Sequence, residues 1–369
     1  FYTRSLAASN EILQNGNYAL YDANPDRGMN FYEMLMDKTS NEVIFAKDFQ
    51  NSLKTHGFTF ENIPRSLTED NEYPTNLTPS LNLVESFDYL DGSDGELRIT
   101  NSDGSPIVYD ELTGIFDNKD ARLYGTVIYP GTSFRGLQVS LQAGVAVWNG
   151  SGYSFQTSQD LGSVYSFPDG SGDGGLWTGA DGPQDNAQFV SNTGFYIRKF
   201  LSDASGASTR GVASENWWPW FRLGEIYLNG AEAAYELGQT ETATTYINTL
   251  RERAGFPANS ITNLTMEDIR NERRVELAFE DHRFFDLKRW RIAHEIWDGD
   301  ESSEKAVVYG LYPYRIFRPG HPDNNHYIYN RMRPTRFRRA RLFRLGNYYA
   351  SIDQGVLNNN PKLVRNPFH

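Results

Sequence analysis

The sequence predicts a mainly α fold: a tetratricopeptide-like helical hairpin scaffold joined to a long irregular, loop-rich half that carries short strands. Three observations predict it. Helical periodicity with caps is concentrated in residues 216–295. Within that stretch small and large residues alternate at the spacing of a 34-residue helical hairpin. Residues 17–215 have the opposite texture, with short apolar runs between Gly, Asn, Asp and Ser.

Residues 1–16 read as helix, with Leu6, Ile12 and Leu13 on one face and Gly16 as the stop. A chain that opens on Phe1 in mid-helix is expected to have further residues upstream, as the end of a helical repeat. Thr126–Tyr129 and Gly194–Ile197 are strand-like pieces bounded by turn residues. Residues 149–186, rich in Gly and Asp, are the most loop-like, and loops of that length carry function or are disordered. A helix is expected near 219–237, ending at Gly238. A second runs from an N-cap Thr240 to Ala254 and is stopped by Gly255, Phe256 and Pro257. Tyr227, Gly230, Ala231, Ala234, Ala243, Ile247 and Leu250 take the hairpin's large and small positions. A third helix opens at Thr265, with Asp268 completing a capping box, and is expected to continue to about His294. Glu272, Glu276 and Glu280 stand four apart on it. Like charges at that spacing repel, so they need cations, and Arg273, Arg283, Arg251 and Arg253 are the candidates. The abundance of apolar residues around them predicts a helix buried on more than one side. Residues 296–369 read as an irregular C-terminal segment, and all four segments (1–16, 17–215, 216–295 and 296–369) as one domain.

A formal net charge of −12 opposes nucleic-acid binding, which needs a positive field. With no Cys, the chain has no disulfide, thiolate metal site or thiol nucleophile. It contains neither a run of 18 apolar residues nor a visible signal peptide.

The segment NERRVELAFEDHRFFDLKRW (271–290) resembles the most characteristic stretch of the SusD/RagB proteins of Bacteroidetes. Further blocks resemble that family in its order: TPSLNLVESFDYLDG (78–92), NKDARLYGTVIYPGTSFRG (118–136), NTGFYIRKFLSD (192–203), FRLGEIYLNGAEAAYELG (221–238) and INTLRERAGFP (247–257). The tail departs from it, with RLGNYY at 344–349, Arg365 and Phe368 where the family pattern differs. The resemblance implies a SusD-like fold and a nutrient-binding subunit rather than an enzyme. It implies a lipid anchor to the outer membrane at the cell surface, attached at an N-terminal Cys outside this chain. It also implies a SusC-like TonB-dependent transporter as partner, and a glycan as ligand, with peptide as the alternative. Glycoside hydrolysis is the remoter alternative, since a usable acid pair cannot be located among 47 acids.

Glycan capture needs flat aromatic faces with polar rims. Trp148, Tyr153, Tyr165 and Trp177, in or beside the 149–186 loop, are the candidate ligand contacts, with Phe167 beside them. Trp217, Trp218 and Trp220 form a weaker second candidate. No cofactor is expected. Asp169, Ser171 and Asp173 begin a calcium-loop pattern, but its twelfth position is Ala180, where a Glu is needed. Seven arginines crowd residues 331–344; Arg336, Arg338 and Arg339 are candidates for contact with a partner or an anion, against the reading that they pair with the chain's own carboxylates.

Overall fold

The computed structural model describes residues 1–70, 75–211 and 213–369. The chain opens with α1 (Tyr2–Gln14), and the irregular half then contains α2 (Arg27–Glu33), β1 (Val43–Lys47), α3 (Phe58–Asn62), α4 (Leu81–Val84) and α5 (Ala121–Thr126). It continues with β2 (Val127–Ile128), β3 (Ser133–Phe134), β4 (Leu137–Gln138), β5 (Gly144–Trp148), β6 (Tyr153–Gln156) and β7 (Tyr196–Ile197). Then come β8 (Trp218–Arg222), α6 (Leu223–Glu236), α7 (Thr240–Arg253), α8 (Met266–Glu276), α9 (His282–Arg289) and α10 (Ala293–Ile296). The strands β9 (Gly310–Phe317) and β10 (Tyr327–Met332) and the helix α11 (Gln354–Asn359) complete the order. Among the described residues no helix is long and apolar enough to cross a membrane.

α1, α6 and α7 bury one core between them: Leu6, Leu228, Ala231, Ala234, Ala243, Ile247 and Leu250. Gly230 marks the closest approach. A Cβ there would lie 2.9 Å from the Tyr246 ring and 3.2 Å from Ser9, so the helices can meet only over a residue without a side chain. The two strand pieces read from the sequence find each other, with Val127 opposite Ile197 and Ile128 opposite Tyr196.

Two sequence expectations are corrected. Residues 219–222 are not helix; they belong to β8, which pairs antiparallel with β1. Pro219 disfavours helical backbone at Trp218, and the aromatic run suits a strand. The single helix expected from Thr265 to His294 is broken. Its capping box forms as read, with Thr265 and Asp268 exchanging hydrogen bonds. After α8, however, Phe279 and Asp281 adopt φ of 62° and 63°, left-handed backbone that costs roughly 1 kcal/mol or more per residue. The turn carries the intervening Glu280 carboxylate inward, between Arg222 (2.8 Å) and Lys199 (2.6 Å).

That turn belongs to a buried ionic network. Arg222 bridges Glu42 (2.9 Å), Glu276 (2.7 Å) and Glu280. Arg122 holds Asp120 (2.6 Å), Glu272 (2.5 Å) and Glu276 (2.9 Å). Arg253 joins Glu42 and Glu276, and Arg251 joins Asp88 and Glu272. Lys199, Arg222 and Arg253 also surround the Phe31 ring, with their charged centres 4.7–5.7 Å from its centroid. Of the four cations expected for the glutamate ladder, Arg251 and Arg253 serve. Arg273 instead pairs with Asp286 (2.7 Å), and Arg283 makes no ion pair among the described residues. Burial alone would raise the Glu276 carboxyl, but Arg253, Arg222 and Arg122 override it and hold the group well below the usual range. Glu280 is likewise brought down to about 2, with Arg222 and Lys199 outweighing its burial. Glu272 is pushed up by burial, which Arg122 at 2.5 Å and Arg251 at 3.4 Å offset only in part.

Arg222→Met should destabilise the fold by about 3–5 kcal/mol in urea unfolding, because it leaves carboxylates buried without their cation; a loss under 1 kcal/mol would contradict the network's role. The depressed Glu280 group contributes stability that is complete above its unfolded value near 4.5 and is lost as pH falls toward about 2. Glu280→Gln should therefore flatten the decline of unfolding free energy between pH 5 and 2 relative to the parent, measured by urea titration at each pH.

Candidate ligand-binding site

Four strands form one sheet in the order β10-β9-β5-β6, with β5 and β9 parallel and the other pairs antiparallel. A tight turn joins β5 to β6: the Asn149 side-chain oxygen accepts from the Ser151 and Gly152 amides, and Gly150 takes φ of 101°. Trp148 thus stands directly opposite Tyr153, and Ala146 opposite Phe155. Side chains alternate faces along a strand. Trp148, Tyr153 and Phe155 therefore share one face with Tyr314 and Ile316, while Gln156, Arg315 and Phe317 point to the other.

On the first face the half-buried Trp148 meets Tyr153 edge-on at 5.1 Å. The Arg318 guanidinium lies 3.9 Å over the indole ring. Phe155 is 42% exposed and rests on Tyr314 with ring centroids 4.3 Å apart. The Tyr153 hydroxyl is buried with no hydrogen-bond partner among the described residues. The result is an aromatic strip across β5 and the outer strand β6 with a cation beside it, able to hold a partly apolar, hydroxyl-rich ring. Sequence reasoning missed Phe155 and Arg318. The alternation in Tyr153-Ser-Phe155-Gln was the available signal for Phe155, whereas Arg318 arrives from the parallel strand 170 residues away.

The 157–186 loop covers the second face. Tyr165 is 1% exposed and packs against Phe167 (5.0 Å), Trp177 (5.2 Å) and Phe317 (5.2 Å). It is a core ring, which corrects its expected place as a ligand platform. Trp177 is half-buried, and its indole N–H has no partner among the described residues. Arg315 fastens the loop, reaching Asp173 (2.6 and 3.1 Å), Asn325 (2.8 Å) and the Leu176 carbonyl (3.4 Å). A Cβ at Gly175 would stand 2.8 Å from the guanidinium, so a larger residue there would displace the Arg315 head group. Of the calcium-pattern residues, Asp169 caps Ser171 in a local turn (2.9 and 2.6 Å) and both oxygens of Asp173 face Arg315. Burial would raise the Asp173 carboxyl, but Arg315 holds it below its ordinary value. The four predicted aromatics are thus divided between opposite faces of one sheet.

The arginine-rich stretch divides as well. Arg331 pairs with Glu85 (3.2 Å) and Glu304 (2.7 Å), and Arg333 pairs with Glu301. Arg336 donates to the Ala187 carbonyl at 2.8 Å, while Arg338 and Arg339 are exposed with no ion pair among the described residues. Trp218 stacks on Phe200 at 4.7 Å, and exposed Trp220 lies on the β1–β8 ribbon near Phe45 and Phe221.

Asp173→Asn should loosen the loop without unfolding the domain. Losing one charge-assisted contact of about 1.5 kcal/mol should speed hydrogen exchange across 157–186 by roughly tenfold at an unchanged global unfolding midpoint. Unaltered exchange would show that the aromatic packing holds the loop without Arg315.

The profile of the SusD family matches residues 41–369. SusD-like protein P2 of Formosa agariphila is 36% identical over 115 residues, covering 28% of this chain and 22% of that protein. SusD-like protein P25 of the same organism is 41% identical over 106 residues, 27% of this chain and 20% of the relative. Two solved structures from Bacteroides fragilis share the fold. A SusD-like protein superposes with a TM-score of 0.65 at 21% identity, over all of this chain and 62% of its own. A SusD-like carbohydrate-binding protein gives 0.64 at 22%, over 98% of this chain and 61% of its own. The chain thus spans about three-fifths of those solved proteins. With a family match over most of its length and the same helical fold with short strands, this chain belongs to the SusD family.

Proposed function

We propose that the protein is a cell-surface glycan-binding lipoprotein that captures oligo- or polysaccharide and delivers it to a SusC-like TonB-dependent outer-membrane transporter. The observation that carries the binding half is the strip of Trp148, Tyr153 and Phe155 with Arg318 against the indole. Rings of this kind suit the C–H faces of sugars, and the adjoining Arg318 guanidinium suits hydroxyls. A SusD-like carbohydrate-binding protein with the same fold supports the reading. Delivery and anchoring rest on family membership alone; with no Cys in residues 1–369, a Cys-linked lipid would lie outside them. Residues 1–369 form one SusD-like domain in this reading. The α6–α7 pair serves as a tetratricopeptide-like scaffold, and residues 17–215 as the ligand-facing half. Arg338 and Arg339 are exposed charges suited to the transporter.

The protein binds without cleaving. Glu272, Glu276 and Glu280 are enclosed by Arg122, Arg222, Arg251, Arg253 and Lys199, so the acidic ladder offers no acid–base pair to a substrate. Calcium has no part in this reading, because Asp173 already faces a guanidinium. Peptide cargo is the second reading, favoured by one observation. β6 ends the sheet order, so its outer edge is open to an added strand among the described residues.

Affinity electrophoresis across neutral and acidic polysaccharides, with products tracked in parallel, tests the proposal. Retardation without product is expected. Trp148→Ala should weaken it by roughly tenfold or more, equivalent to about 1.4 kcal/mol, and a chelator should leave it unchanged. Released product would overturn the non-catalytic reading. If no glycan is retarded while peptides bind, the cargo is peptide.

A further inference from the structure

On the side of the molecule built from α4, α8, α9 and α10 lies a cleft of about 770 Å³. Arg274, Arg283 and Arg341 line it together with Trp297, Ile296 and Phe279. The three guanidinium groups act on one another. Burial lowers Arg274 to about 9, and Arg283 and Arg341 push in the same direction; Arg283 is also lowered, by burial first, with Asp286 and Glu267 opposing the shift and Arg341 and Arg270 adding to it.

Their partners orient them without neutralising them. Arg274 donates to the Asn82 carbonyl at 2.7 Å, and Arg341 to the carbonyls of Ala306 (3.1 Å) and Lys305 (2.7 Å). Arg283 donates to nothing among the described residues. Six carboxylates also line the cleft, but none pairs with these three guanidinium groups among the described residues; Asp94 makes no ion pair there, and Glu96 lies 3.9 Å from Arg331. Glu85 and Glu304 hold Arg331, Asp88 holds Arg251, Glu267 lies 3.5 Å from Arg270, and Asp286 holds Arg273 and Arg289. The protein thus keeps three guanidinium groups in one concave site with no carboxylate in ion-pair contact with them among the described residues. Guanidinium forks match planar carboxylates and sulfate oxygens. Trp297 adds an aromatic wall, with Arg341 5.7 Å from its ring.

We propose that this cleft binds an acidic sugar, with Arg274, Arg283 and Arg341 taking its carboxylate or sulfate and Trp297 its ring. The assignment rests on the glycan reading above and adds a second site, separate from the Trp148 strip.

The test is calorimetry of the full chain with a uronate disaccharide, a sulfated disaccharide, a matched neutral disaccharide and sodium sulfate, at constant ionic strength. At least one acidic disaccharide should bind at least tenfold more tightly than the neutral one and than sulfate alone, and the two acidic probes separate carboxylate from sulfate as the recognised group. Arg283→Gln should remove that preference, and Arg283→Lys should restore part of it. Because Arg283 makes no hydrogen bond, Arg283→Gln should keep the parent's melting temperature, and its binding of neutral polysaccharide through Trp148 should be unchanged. Equal affinity for acidic and neutral sugars, for sulfate and sulfated sugar, or for acidic sugar in parent and Arg283→Gln, would overturn the assignment. If Arg283→Gln unfolds, an acidic-sugar affinity in the parent that does not fall as salt is raised would do the same. Retained neutral binding alongside any of these results would remove this inference alone; loss of all glycan binding would remove the function it rests on.

Discussion

A carboxylate cannot be taken into a protein interior by itself, and Glu276 has been taken in completely. Three guanidinium groups, from Arg122, Arg222 and Arg253, make it possible. Such clusters add little net stability compared with apolar packing of the same volume, but leaving one charge unmatched is severe. What they supply is specification. The network requires Glu42 before β1, Asp120 and Arg122 at α5, Lys199 after β7, Arg222 at the end of β8, and the end of α7 to converge on α8 together. The irregular half and the helical core cannot slide past each other without exposing or orphaning a charge. The left-handed Phe279 and Asp281 are tolerated because the turn between α8 and α9 delivers Glu280 into this cluster.

With the helical core locked, the four-stranded sheet has a stable base. Its central strands come from far apart in the chain, so the irregular half is bound to the C-terminal segment by a parallel ladder. The two faces then take different tasks. One is sealed by the 157–186 loop, whose Tyr165, Phe167 and Trp177 pack onto Phe317. The other leaves Trp148 and Phe155 accessible. A glycine-rich segment is thus held by one ion pair and one aromatic cluster, while the hairpin beside it leaves Phe155 exposed.

The arginines show the same division of labour. Where carboxylates surround them they are structural, as at Arg122 and Arg222. Where backbone carbonyls hold them they remain charged and directed, as at Arg274 and Arg341. Composition cannot separate the two roles, because a net charge of −12 is a sum over the whole chain. The field in a cleft depends on which acids are already engaged.

Local rules carried much of the fold. Periodicity identified the helix at 240–253, although its N-cap is Gln239 rather than the expected Thr240, and the cap identified the start at Thr265, because a capping box needs only residues three apart. They also identified the paired strand pieces at 127–128 and 196–197, and the family followed from motifs that span short windows. The glutamate ladder correctly demanded cations. Local rules failed where contacts are distant. Of the arginines chosen by proximity in sequence, Arg273 and Arg283 do not serve, whereas Arg122 and Arg222, 154 and 54 residues from Glu276, do. Likewise, the aromatic residues at 148–177 identify a region rich in flat rings, but not which rings face out. A strand reverses the facing of its side chains at every residue, and a loop can close over either side. The sequence alone therefore determined the family, the helical scaffold and the need for buried charge pairs. Only the tertiary structure decided that Trp148 stays half-exposed while Tyr165 lies in the core, and which arginines form no ion pair among the described residues, because these depend on what packs against each group from elsewhere in the chain.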